Sequence, residues 1–121
     1  MLIRDIEKAN YLEASDKTKL CELIHPLKEA VFDISYSLAH VVLKPGKKSQ
    51  PHKLKSSSEV YYILEGKGTI HVDDEFSNIK PGQAIYVPQK SIQYIENSGE
   101  DDLKFLCIVS PPWNSADDLP A

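Results

Sequence analysis

The chain has 121 residues, 41% of them hydrophobic, which suffices for the core of one ordinary domain and leaves no room for a second. Eighteen Asp and Glu against fourteen Lys and Arg give a formal charge of −4, with the two signs interspersed and no basic stripe, so nucleic acid is not an expected partner. No stretch approaches the roughly 20 apolar residues that span a bilayer, and no membrane partner is expected.

The opening MLIRDIEKANYLEAS interrupts its apolar residues with Arg4, Asp5, Glu7 and Lys8, so it lacks the continuous hydrophobic region of a signal peptide. Residues 1–30 are read as an N-terminal arm. Cys21 and Cys107 are far apart, without a CxxC or a secretory context, and are expected as reduced, largely buried thiols of a cytoplasmic protein. The segment 16-DKTKLCELI-24 fits two periods. Leu20, Leu23 and Ile24 fall at helical spacing, whereas Lys19, Cys21 and Leu23 share one face of a strand. His25, before Pro26, is placed on the surface.

The stretch 31-VFDISYSLAHVVL-43 alternates with period two: Phe32, Ile34, Tyr36, Leu38, His40 and Val42 form one parity, and Asp33, Ser35, Ser37 and Ala39 the other. Turns follow at Pro45-Gly46 and Pro81-Gly82, where Pro presets φ and Gly accepts the left-handed conformation of a type II turn. Further strands are predicted at 59–64, 68–72, 84–87, 92–97 and 103–109, with turns at Asp73-Asp74 and Ser98-Gly99-Glu100-Asp101. This is an all-β pattern. Several strands are apolar on both faces, one to line a barrel and the other to meet a second sheet or a second subunit, so a homodimer is expected. His71 shares the solvent-facing parity of Thr69 and Asp73. The tail 111-PPWNSADDLPA-121 reads as an irregular arm pinned by Trp113.

Two stretches carry chemistry. The first, 46-GKKSQPHKLKSSSEVYYILEG-66, places Gly46, His52, Glu59 and Gly66 at spacings that resemble the first cupin motif, G-x5-H-x-H-x3/4-E-x6-G, with Leu54 at the second His position. The second, 82-GQAIYVPQKSIQYIEN-97, resembles the second motif, G-x5-P-x-G-x2-H-x3-N, with Gly82, Pro88 and Asn97 in place; Lys90 stands for the third-position Gly and Gln93 for the His. The resemblance covers residues 34–110 and is similar to the small one-domain cupins often labelled sugar-phosphate-isomerase-like. It implies a jelly-roll β-barrel, the double-stranded β-helix, with one interior site.

On an antiparallel hairpin turning through 55-KSSS-58, His52 and Glu59 come to one face, and Gln93 joins them only where the sheet closes. The resemblance implies a divalent ion, Zn²⁺, Mn²⁺, Fe²⁺ or Ni²⁺, held by His52, Glu59 and Gln93, with His40 as a further ligand if its parity faces the cavity; the other reading of His40 is a hydrogen-bonded core residue. Glu59 is the candidate acid or base, and Tyr61, Tyr86, Leu54, His52 and Gln93 the candidate ligand contacts. Lys53, Lys55 and 56-SSS-58 lack the glycines and following helix of a phosphate loop and read as a solvated tip. Two functions remain open. One is a metal-dependent enzyme, isomerase or oxygenase, acting on a small oxygen-rich substrate; the other is a metal-free binding or regulatory dimer.

Overall fold

The computed structural model describes residues 1–121 and contains eleven strands and no helix, so no helix is long and apolar enough to cross a membrane. In chain order they are β1 Leu12–Glu13, β2 Lys19–Ile24, β3 Ser37–Leu43, β4 His52–Leu54, β5 Ser58–Glu65, β6 Gly68–Val72, β7 Glu75–Ile79, β8 Ala84–Val87, β9 Gln93–Glu96, β10 Leu103–Ser110 and β11 Asp118–Pro120. All pairings are antiparallel, in a six-stranded sheet ordered β1-β2-β3-β10-β5-β8 and a five-stranded sheet ordered β11-β4-β9-β6-β7. Between them lies a core that includes Leu43, Ile63, Ile70, Ile95, Leu103 and Phe105. This is the expected jelly roll.

Turn chemistry explains much of the layout. Gly46 and Gly82 adopt φ of 77° and 89°, as the two Pro-Gly pairs require. Gly68 is required for a different reason, because a Cβ there would stand 2.3 Å from the Glu96 carbonyl oxygen of the neighbouring strand. Lys90, which replaces a motif glycine, nevertheless has φ of 71°, so a side chain sits in a conformation that glycine adopts more readily. The motif asparagine is structural, since Asn97 Nδ2 donates to the Leu43 and Asp101 carbonyls at 2.8 and 2.9 Å.

The segment left open between helix and strand is strand β2. It carries Cys21 on the outer face and Leu20 and Glu22 on the inner one. The strand expected over 31–43 begins only at Ser37, and its parity is the reverse of the apolar pattern. Ser37, Ala39, Val41 and Leu43 point inward, while His40 points out. The inner face is the one with small residues at Ser37 and Ala39 because a cavity there needs room, and on the outer face His40 is met edge-on by the Tyr11 ring of the N-terminal arm. His25 is 3% exposed, not on the surface, because its Nε2 donates to the Trp113 carbonyl at 2.7 Å.

The 52–61 hairpin is also replaced. β4 belongs to one sheet and β5 to the other, so residues 55–57 form a corner between sheets. Nor is that corner a solvated tip. Ser57 is buried, and Asp117 accepts hydrogen bonds from the Ser56 and Ser57 amides at 2.8 and 3.2 Å. The tail expected to be irregular thereby docks, and β11 pairs with β4 through Asp118↔Leu54 and Pro120↔His52.

Candidate functional site

Cross-strand register explains which side chains reach the interior. On the inner face of the larger sheet, Ser37, Val109, Glu59 and Val87 form one row and Glu22, Ala39, Cys107, Tyr61 and Ile85 the next. The opposite sheet presents His52, directly across from Gln93 on the neighbouring strand. These rows enclose a cavity of about 270 Å³, at the small end for ligand sites, whose polar lining includes Asp16, Thr18, Glu22, Ser37, His52, Glu59 and Asp118. Val41, Phe105 and Ile95 form apolar wall, and the exposed Leu12, Glu13 and Lys28, with Trp113, form the mouth.

His52 and Glu59 thus meet across the cavity from opposite sheets. His52 Nδ1 donates to Asp118 Oδ1 at 2.8 Å, and Trp113 Nε1 donates to Asp118 Oδ2 at 3.0 Å, so the carboxylate orients the imidazole and is itself held. His52 Nε2 is buried without a hydrogen-bond partner; the nearest carboxylate oxygen, on Asp16, is 3.8 Å away. Glu22 Oε2 is the other buried oxygen or nitrogen without a partner. Tyr61 donates its hydroxyl to Gln93 Oε1, which joins the two sheets behind the cavity.

Electrostatics follow from burial. Desolvation raises the Glu59 carboxyl to about 7, with the Cys107 hydrogen bond and the charge of His52 only partly opposing it. Burial alone would lower the His52 imidazole, but the Asp118 hydrogen bond and the charges of Asp118, Asp16 and Glu59 outweigh it and raise its pKa above 6.5. Burial works to raise Asp118, yet its bonds to His52 and Trp113 leave it below the ordinary carboxylate value. Glu22 is raised by desolvation. Burial likewise lifts Tyr61 and Cys107 well above their ordinary values, so both stay neutral near pH 7.

Four candidates from the sequence lie elsewhere, and the first is Gln93, which is buried behind the cavity wall against the Tyr61 hydroxyl and does not line the space. His40 is on the far side of the larger sheet, its Nδ1 sharing a 2.7 Å hydrogen bond with the Tyr11 hydroxyl. Tyr86 is 64% exposed, because it pairs with Val60 on the outward parity. Leu54 is buried beside Asp118 but does not line the cavity. Conversely, Asp16, Glu22 and Asp118 went unmarked, and Trp113 reads only as the anchor of the tail and not as a residue of the site. They lie on short or ambiguous segments, and Asp118 is 66 residues from the imidazole it orients.

The donor set does not fit a divalent ion. Such a site needs several lone pairs converging on one point. Here Gln93 Oε1 is engaged by Tyr61, Leu54 has no donor, His40 is outside, and His52 Nδ1 is turned to Asp118. What is left of the expected set is one imidazole nitrogen and the Glu59 carboxyl, and although Asp16 Oδ2 stands 3.8 Å from that nitrogen, no group of three or more His, Cys, Asp or Glu side chains is arranged to hold a metal.

Comparison with known proteins places the chain. The cupin domain family matches residues 39–109, and the chain belongs to that family. An uncharacterized protein of Methanocaldococcus jannaschii is 39% identical over 84% of this chain and 80% of its own length. The oxalate-binding protein of Thermotoga maritima is 35% identical over 73% of this chain and 74% of its own. Among solved structures, a predicted oxalate decarboxylase of Thermotoga maritima superposes with a TM-score of 0.80 at 23% identity, over 91% of this chain and 99% of that one.

Proposed function

We propose that this cupin binds one small molecule inside the barrel and moves a proton on it, with Glu59 as base and the His52 imidazolium as acid. The observation that carries the proposal is the Asp118–His52 bond at 2.8 Å, which leaves His52 Nε2 buried and free in the same cavity as Glu59. A base works best when its pKa lies near the ambient pH, and about 7 for Glu59 meets that condition. His52, whose charged form is favoured by the Asp118 hydrogen bond and the charges of Asp118, Asp16 and Glu59 against the opposing effect of burial, offers its Nε2–H to a substrate oxygen. Proton removal from a carbon or hydroxyl, with protonation of the oxygen that gains charge, is the chemistry of an isomerisation. Cys21 and Cys107 are unpaired, which suits a reducing compartment such as the cytoplasm. A homodimer belongs to the same reading, closed on the outer face of β5 and β8 where Tyr62, Leu64 and Tyr86 are exposed, and sedimentation that finds only monomer at high concentration overturns that part.

The test is hydrogen exchange into small hydroxyketones incubated with the protein in D₂O and followed by proton NMR. Deuterium should enter the carbon next to the carbonyl, at a rate that falls by about 10²-fold or more in Glu59→Gln, the usual scale of a lost general base. Ligands that bind yet show no exchange above the buffer rate would leave a binding module and remove the chemistry.

A further inference from the structure

The reading of the cavity as a ligand site leads further, to the kind of molecule it accepts. Its interior contains four carboxyls, from Asp16, Glu22, Glu59 and Asp118, against one imidazole. That imidazole is already matched, with Asp118 Oδ1 2.8 Å from Nδ1 and Asp16 Oδ2 3.8 Å from Nε2. The one lysine at the cavity, Lys28, is exposed at the mouth with Nζ 5.8 Å from the Trp113 ring centre. No arginine lines the space, so the paired guanidinium contacts that usually hold carboxylates and phosphates are missing.

Hydrogen bonding gives the same answer independently. Glu22 Oε2 is a buried acceptor with no donor, and an unmade bond at such an atom is unfavourable. A dicarboxylate or phosphate dianion brings acceptors only. It would leave Glu22 unsatisfied and add like charge in a poorly screened space. A hydroxyl or an amine supplies the absent donor, and an apolar body would cover Val41, Phe105 and Ile95.

We infer that the cavity selects a neutral or cationic small molecule, an alcohol or amine on an apolar body, and discriminates against small anions such as oxalate and phosphate esters. The recognising group for the donor is Glu22, a residue outside both sequence motifs. Ligand preference therefore differs from what the name of the Thermotoga maritima oxalate-binding relative would suggest.

The experiment is calorimetric titration of the untagged full chain at pH 7.5 with benzylamine, benzyl alcohol and benzoate, one ring with three end groups, and with oxalate. Benzylamine should bind at least tenfold more tightly than benzoate, benzyl alcohol should fall between them, and oxalate should give no binding heat. Glu22→Gln should cut the benzylamine-to-benzoate ratio about tenfold; the wild-type order tests the inference even if that variant fails to fold. Benzoate or oxalate binding as tightly as benzylamine would overturn the charge preference while keeping the ligand cavity. No binding by any of the four, checked by unchanged NMR spectra, would overturn the ligand cavity and the preference with it.

Discussion

Replacing Glu59 by Gln should stabilise the protein, and only above mid-acid pH. Burial raises the folded-state pKa from the ordinary 4.5 to about 7, so the folded chain disfavours the charge that the unfolded chain carries freely. Below pH 4.5 both states are protonated and Glu59 contributes no penalty. As pH rises through this interval the unfolded state gives up its proton first, stability falls, and above about 7 the full penalty applies. A difference of 2.5 units, 7 less 4.5, corresponds to about 3 kcal/mol at roughly 1.4 kcal/mol per unit. The net expectation is Glu59→Gln more stable by about 3 kcal/mol at pH 8 and equal to the wild type at pH 4. Urea unfolding of both proteins at pH 4, 6 and 8 measures it, and titrations common to the two cancel in the difference. A gap that does not change with pH, or a variant less stable than the wild type at pH 8, refutes the reasoning. The same substitution should slow proton transfer by about 10²-fold or more, an example of stability given up at a functional site.

The other predictions concern separate parts of the molecule. Asp118→Asn removes the charge that orients His52, so stability should fall by about 2 kcal/mol between pH 4 and 6.5, and the His52 pKa should drop, both read by NMR-monitored titration and urea unfolding. That window follows from the signs: the raised His52 contributes below 6.5 and loses its contribution as pH rises, whereas the lowered Asp118 contributes above 3.8 and loses its own as pH falls. Lys90→Gly should raise stability by about 0.5–1 kcal/mol in urea, since glycine relieves the left-handed backbone by more than it loses in chain entropy. Elemental analysis of untagged protein should find divalent metal well below one equivalent even after reconstitution; a full equivalent lost in His52→Ala would overturn the donor-set argument.

Strands β6 and β8 were readable to the residue and β5 and β10 nearly so, because alternation and bounding turns are local signals and the Pro-Gly pairs mark their own conformation. The inner face of β3 was not. Its alternation is real, but the small residues Ser37 and Ala39 face in because a cavity excludes bulk, which no amphipathic pattern expresses. The pairing of His52 with Glu59 was anticipated through a hairpin, whereas the chain turns a corner between sheets; adjacency in sequence does not distinguish the two. Asp118 left no local mark, since a three-residue strand has no period and its partners are fixed by closure of the barrel; Trp113 was legible as an anchor of the tail but not as a partner of Asp118.

The account depends on one imidazole, oriented by Asp118 and turned into the same cavity as Glu59. Long-range proton–nitrogen NMR of the histidine rings reads this directly. The account predicts a His52 ring whose Nδ1 stays protonated and hydrogen-bonded, whose titration lies above 6.5, and whose signals shift again as Glu59 ionises near 7. A His52 ring with solvent-like shifts, titrating at or below 6.5 and indifferent to Asp118→Asn, would contradict it.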